Sequence, residues 1–255
     1  MTQARSARPG GRVPRRAMVL AAGLGLRMRP LTDSRPKPLI DVAGRSLLDR
    51  VLDQLQAAGI SDIVVNAHYL AGQIEAHVAA RTVGLAKITV SVEAERLETG
   101  GGVAKALPLL GDEPFFVVNG DVLWQDGPRP TLTSLAEAWN GAAMDALLLL
   151  HPTATAFGYD GTGDFLIAAD GRLSRPVEGA GAPYLFAGIQ ILSPAVWTGL
   201  PVPPFSLNWI YDRAAAAGRL FGLVHAGSWF HVGTPEDLAL AEAELARRGE
   251  PAAVS

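Results

Sequence analysis

The chain contains no cysteine in 255 residues. That absence removes thiol catalysis, disulfides and cysteine-held zinc together, and says little about compartment. Hydrophobic residues make up 49% of the chain, yet no apolar run approaches the roughly 18 residues that a spanning helix needs, so a membrane span is not expected. His68, His77, His151 and His225 are scattered without metal or triad spacing, and no Ser-His-Asp order stands out. No repeat recurs at solenoid spacing. The P-loop is missing because no Gly-Lys-Ser/Thr follows the one glycine-rich turn, and the dinucleotide fingerprint fails because its third glycine position is Met28.

The length suits one large α/β domain, and nothing marks a second. Residues 1–16 hold Arg5, Arg8, Arg12, Arg15 and Arg16 with no acid, which predicts a disordered basic arm ahead of a folded domain over 17–255. Arg16 followed by the apolar Ala17 to Leu26 imitates the start of a secretory signal, but the run ends in Arg27 and Arg29 with no small-residue cleavage region. The expectation is therefore a cytoplasmic protein. Taking the arm's five positive charges from the formal net of −3 leaves −8 on the remainder. Such a body does not attract nucleic acid or a membrane surface by its overall field, so any polyanion site must be local or metal-assisted.

Short β-branched runs alternate with helical periodicity, the pattern of a mostly parallel sheet covered on both faces. Strands are expected over Met18–Ala22, Asp62–Asn66, Lys87–Val92, Phe115–Asn119, Ala146–Leu150, Tyr184–Leu192, Leu220–Val224 and Trp229–Val232. Helices are expected over Ser46–Ala58, Ala71–Ala80, Gly101–Leu110, Leu132–Gly141, Leu207–Ala217 and from Pro235 to about Arg248 behind a Thr234 cap. Residues 151–183 carry six glycines around short strand-like pieces, which predicts inserted hairpins.

The stretch Val19 to Leu39 carries the chemistry. Ala21 and Ala22 are small enough to admit a flat base or ribose, and Gly23 and Gly25 allow several backbone N–H groups to converge on phosphate oxygens. Arg27 can fork onto two oxygens, and Lys37, held between Pro36 and Pro38, offers a point charge to the same anion. Packing alone gives no reason for Arg27, Arg29, Arg35 and Lys37 on one loop. A strand ending in Asn119-Gly120-Asp121 places an acid at the edge where open α/β sheets bind ligands. Asp121 is a hard-oxygen candidate for Mg²⁺. Glu93 to Gly102 reads as a glycine-ended loop between a strand and a helix, able to bring backbone against a planar ligand.

These motifs closely resemble those of the sugar-1-phosphate nucleotidylyltransferases, over about Ala17 to Ala246. The resemblance implies a three-layer α/β/α Rossmann-like domain with a mixed, mostly parallel sheet. It implies Arg27, Lys37 and Asp121 as catalytic residues. Ala21, Ala22, Gly23, Gly25, Glu93 and Gly100 would contact the nucleotide, and Glu98, Asn119, Asp164 and Gly188 the sugar. Asp121 and the late motif Trp229-Phe-His-Val-Gly-Thr234 would hold Mg²⁺, or Mn²⁺, but His231 stands where the family has aspartate. Arg175 and Glu178 lie where many relatives carry a Glu-Lys pair for the sugar phosphate, and that lysine is not recognisable here. Leu97-Glu-Thr-Gly-Gly-Gly102 matches the branch that acts on N-acetylmuramic acid 1-phosphate. A carboxylate at Glu93 suits the ring N–H groups of uracil or guanine and repels cytosine. The expected partners are thus UTP and that sugar phosphate, with GTP and mannose 1-phosphate as the alternative. A regulatory subunit that binds nucleotide sugar without catalysis is the other class. The sequence does not specify an oligomeric state.

Overall fold

The structure is a computed structural model and describes residues 13–82, 84, 86–200 and 203–249. Strand β1 (Arg16–Leu20) enters the centre of the sheet, and the hairpin β2 (Asp41–Val42) and β3 (Arg45–Ser46) leads into α1 (Leu47–Ala57). Two further units follow, β4 (Asp62–Ala67) with α2 (Ala71–Ala80), and β5 (Lys87–Val92) with α3 (Glu98–Leu110). Next come β6 (Phe115–Asn119), the short β7 (Leu123–Gln125), α4 (Thr131–Ala138) and β8 (Ala146–Pro152). The hairpin β9 (Leu166–Ile167) and β10 (Leu173–Ser174) precedes β11 (Tyr184–Leu192) and α5 (Asn208–Ala216). The chain closes with β12 (Leu220–Val224), β13 (Ser228–Phe230) and α6 (Pro235–Arg247).

Seven strands form the main sheet in the order β12-β8-β11-β6-β1-β4-β5. All run the same way except β11, which is antiparallel to both neighbours. Alternating side chains feed two separate cores. Ala17 and Val19 of β1 join Leu48 and Leu52 of α1, Ile74 of α2 and Leu135 of α4 on one face. Met18 joins Val103 and Ala106 of α3 with Ile210 and Tyr211 of α5 on the other. This is the expected three-layer arrangement. Each buried leucine contributes about 1.5–3 kcal/mol through area removed from water, so a truncation such as Leu52→Ala costs about 2–5 kcal/mol once the cavity is counted.

A third cluster joins Met28, Leu47, Phe230, Ala241 and Leu245, so α6 packs beneath the loop that follows β1. Its start is secured by a capping box in which Thr234 and Asp237 satisfy each other's backbone N–H groups. Among the described residues no helix is long and apolar enough to cross a membrane.

Several elements fall where expected, including α2, β5, β6, β11 and β12. Others differ for local reasons. β1 begins at Arg16, whose Nη1 donates to Leu110 O at 2.9 Å, and ends at Leu20, which leaves Ala21 and Ala22 to the loop. Residues 1–12 of the expected arm lie outside the described residues; from Val13 the chain already packs on the core. α4 stops at Ala138 because Trp139 turns into the core in an extended conformation. β8 runs on to Pro152 because Tyr184 pairs with it there. The last strand is Ser228–Phe230, paired with β7 rather than with the main sheet. The glycines of the Glu93–Gly102 segment are not a loop: α3 starts at Glu98 and takes them into its first turns.

Candidate active site

The C-terminal ends of β1, β4, β5 and β6 bring four chain segments to one edge of the sheet. Gly120 N–H donates to Leu20 O at 2.8 Å, which ties the end of β6 to the end of β1 and sets Asp121 beside the glycine loop. Two lobes open there. One, of about 270 Å³, is lined by Gly23, Gly25, Arg27, Lys37 and Gly233; the other, of about 260 Å³, by Ala22, Asn66, Glu93, Glu98 and Asn119. Leu20, Gly23 and Asp121 line both. Asp121 therefore stands at their junction.

The loop is held from below and left open above. Met28 is buried in the α6 cluster, and Thr32 Oγ1 donates to Gly25 O at 2.8 Å. Gly25 sits at φ 64°, and a side chain there would press on Thr32 Cγ2 and on Lys37 Cβ at 3.0 and 3.1 Å. Only glycine lets Lys37 pass so close. The four cations divide. Arg29 pairs with Asp33 at 3.1 Å and Arg35 with Asp41 at 3.1 Å, both on the exposed surface. Lys37 Nζ turns inward to Asp121 Oδ2 at 2.7 Å, while Arg27 is exposed and unpaired among the described residues. Two of the four, Arg27 and Lys37, thus line the cleft.

The second lobe is built on a residue that the sequence reading missed, Asn66 at the end of β4. It is buried, accepts from Ala21 N–H at 2.7 Å and donates to Glu93 Oε1 at 2.7 Å. Glu93 is buried too, and its Oε2 accepts from Leu97 N–H at 3.1 Å. The carboxylate retains spare acceptor capacity toward the lobe. Gly100, expected against the nucleotide, is instead a packing glycine. Its N–H donates to Phe205 O at 2.9 Å, and a methyl group there would lie 2.5 Å from Phe205 Cε2. Glu98 lines the lobe at φ 61° and pairs with Arg96 at 2.6 Å. A non-glycine residue in that region carries about 1–3 kcal/mol of strain, which is most often retained where a site requires it.

Asn119 lines the second lobe, and Gly188, at φ 79° where the register of β11 shifts, packs against its side chain. Asp164 does not line either lobe. Its Oδ2 accepts from Phe186 N–H at 2.8 Å and so fastens the inserted hairpin to β11. Arg175 stacks on Phe165 at 4.4 Å and donates to Asn208 Oδ1 at 2.8 Å, held against α5 rather than presented to the cleft; Glu178 is exposed.

For a divalent cation the described residues offer little more than Asp121. No group of three or more His, Cys, Asp or Glu side chains comes together among them. A lone carboxylate at the junction suits Mg²⁺, which takes its remaining ligands from phosphate oxygens and water. His231, expected as the second ligand, does not line either lobe and faces another carboxylate. Its Nε2 lies 3.7 Å from Asp237 Oδ2, and its ring packs beside Trp229 and Tyr159. Burial pushes the imidazole below its ordinary pKa; Asp237 opposes this, and Arg27 and Lys37 reinforce it. The ring is neutral at neutral pH.

Comparison with known proteins agrees with this architecture. A family model described as nucleotidyl transferase matches residues 16–173. The chain is 45% identical over 236 residues to an N-acetylmuramate alpha-1-phosphate uridylyltransferase of Caulobacter vibrioides, covering 91% of this chain and 98% of that protein. A protein of the same name from Neisseria meningitidis serogroup B is 37% identical, with 86% and 93% covered. A probable mannose-1-phosphate guanylyltransferase 2 of Arabidopsis thaliana is 32% identical, and the match spans 87% of this chain but 62% of the plant protein. Among solved structures, a UDP-glucose pyrophosphorylase complexed with UDP-glucose superposes with a TM-score of 0.76 at 15% identity, over 92% of this chain and 99% of its own. HddC from Yersinia pseudotuberculosis gives 0.72 at 22%, over 90% and 99%. At such identities the structures speak to the fold alone.

Proposed function

The chain belongs to the nucleotidyl transferase family, and we propose that it joins UTP to N-acetylmuramic acid 1-phosphate, giving UDP-N-acetylmuramic acid and pyrophosphate. The observation that carries the reaction is the convergence of Arg27, Lys37 and Asp121 on one cleft at the C-terminal edge of β1 and β6. The choice of substrate rests on the 45% and 37% identity to proteins named for it, against 32% to a guanylyltransferase.

A sugar 1-phosphate is anionic at neutral pH, so its oxygen can attack the α-phosphorus without a general base. One P–O bond forms, the bond from the α-phosphorus to the bridging oxygen breaks, and pyrophosphate leaves with the electron pair. Catalysis is then positioning and charge neutralisation. Arg27 and the N–H groups around Gly23 and Gly25 hold the β- and γ-phosphates in the first lobe. Lys37 exchanges Asp121 for oxygens of the α-phosphate. Mg²⁺, which Asp121 would hold, supplies charge neutralisation across the phosphates when bound. In the second lobe Glu93 offers acceptors to ring N–H groups, which favours uracil over cytosine.

The test is pyrophosphate release from a panel of nucleoside triphosphates and sugar 1-phosphates. UTP with N-acetylmuramic acid 1-phosphate should give the highest kcat/KM. Preference for GTP with mannose 1-phosphate would move the assignment within the family, and no turnover of any pair would leave a nucleotide-sugar-binding protein.

A further inference from the structure

The main-sheet ladder between β1 and β4 ends at the pair Leu20↔Asn66. Ala21, the first residue beyond it, begins the glycine loop, and its N–H finds a side chain in place of a strand. Asn66 Oδ1 accepts it at 2.7 Å; Asn66 Nδ2 donates to Glu93 Oε1 at 2.7 Å; and Glu93 Oε2 accepts from Leu97 N–H at 3.1 Å. Donor and acceptor alternate along the whole run. Only one orientation of the amide satisfies both of its partners, because Ala21 presents a donor and Glu93 an acceptor. Both side chains are buried, and room for their contact exists because residue 102 is glycine: a Cβ there would lie 2.7 Å from Asn66 Nδ2 and from Glu93 Oε1. The backbone of Glu93 is fixed as well, by its N–H to Ala67 O at 2.8 Å and by His68 Nδ1 on its carbonyl at 2.9 Å.

We propose that Asn66 and Glu93 are positioning residues that hold the glycine loop in its phosphate-receiving shape, so that the second lobe and the phosphate lobe are set by one hydrogen-bonded run. Glu93 touches the loop through Asn66, and a ligand that competes for its carboxylate acts on the phosphate cradle by the same route. The proposal rests on the reading of the first lobe as a triphosphate site. If Glu93 served only to read the base, its loss would leave the affinity for a triphosphate without a base unchanged.

Inorganic tripolyphosphate is the probe that separates the two, used as a competitor of UTP. Asn66→Asp sets two carboxylates against each other. Glu93→Gln turns an amide donor toward either Leu97 N–H or Asn66 Nδ2. The double variant Asn66→Asp/Glu93→Gln restores every bond: the introduced carboxylate accepts from Ala21 N–H and from the introduced amide, whose oxygen accepts from Leu97 N–H. Each single change should raise the tripolyphosphate inhibition constant by about tenfold, the equivalent of one charge-assisted hydrogen bond. The double variant should return that constant to within about threefold of the starting protein, while its KM for UTP stays raised because the carboxylate that meets the base is gone. If Asn66→Asp does not fold, Glu93→Gln against the double variant carries the same comparison. Unchanged tripolyphosphate inhibition in the single variants, or a double variant no better than Glu93→Gln, overturns the proposal. Failure of tripolyphosphate to inhibit the unaltered protein would instead remove the triphosphate reading, and the positioning role with it.

Discussion

Replacing Lys37 by methionine keeps the length of the side chain and removes its charge, and the structure gives different magnitudes for its effects on folding and on chemistry. Lys37 Nζ lies 2.7 Å from Asp121 Oδ2, but the Asp121 side chain is 36% exposed, so water screens the pair. A pair of that kind contributes no more than about 1 kcal/mol to stability, or a few degrees of melting temperature for a domain of this size. In the proposed reaction the same ammonium would meet charge that develops at the α-phosphate inside a cleft. Removing one such group costs about 10²–10³-fold in turnover, or about 3–4 kcal/mol. Freed of its partner, Asp121 should also bind Mn²⁺ in the protein alone a few-fold more tightly, by up to about 1 kcal/mol. The assays are continuous pyrophosphate release, a thermal melt and Mn²⁺ titration by electron paramagnetic resonance. Turnover within about fivefold of the parent would refute the assigned role. So would a melting temperature so lowered that lost folding accounts for the lost rate.

Three other outcomes are expected. Arg27→Ala should lower kcat/KM for UTP by at least about tenfold with the melting temperature unchanged, since Arg27 is exposed and has no partner among the described residues to lose. Gly100→Ala should destabilise the fold by about 1–3 kcal/mol in urea titrations, because the new methyl meets the Phe205 ring. Acid should weaken the fold well before carboxylates titrate: burial, with His151 beside it, lowers His225 to about 4, and burial lowers His151 as well. The stabilisation from His225 is fully present above the unfolded value near 6.5 and is lost as pH falls toward 4, and His151 adds to the loss in the same direction. His225 alone accounts for about 2 kcal/mol between pH 7 and pH 5, and stability that is flat over that interval would contradict its buried neutral state.

The parallel strands were legible because burial on both faces writes them as unbroken runs, such as Phe115–Val118 and the apolar stretch within Tyr184–Leu192. α2 and α6 were legible from spacing and, for α6, from the Thr234-Pro235 start. The triple glycine was misread because local propensity weighs against a helix there, while the decision lies with Phe205 and Pro203, a hundred residues away, which leave no room for side chains at Gly100 and Gly101. The loop cations stood out as charges without a packing role, and Lys37 was singled out from Arg35 by its two flanking prolines, while in the fold their ion-pair partners separate them. Asp121 and Asp41 make that distinction. Asn66 looked like an ordinary strand end. Its significance comes from a carboxylate 27 residues on, and only the register of β4 against β5 brings the two together.

The reversed strand β11 changes its neighbours along its length. Inside the register shift it pairs with both β6 and β8; outside it, Tyr184 to Phe186 pair with β8 and extend past the end of β6. The 153–183 insertion is fastened to that outer half by Asp164 to Phe186 and by Phe165 to Tyr184, and to later elements by Phe157 to Trp229 and His231 and by Arg172 to Phe221. None of those attachments is made by Arg27, Lys37 or Asp121. A chimaera that transplants the insertion must therefore carry its partners on β11, β12 and β13 with it.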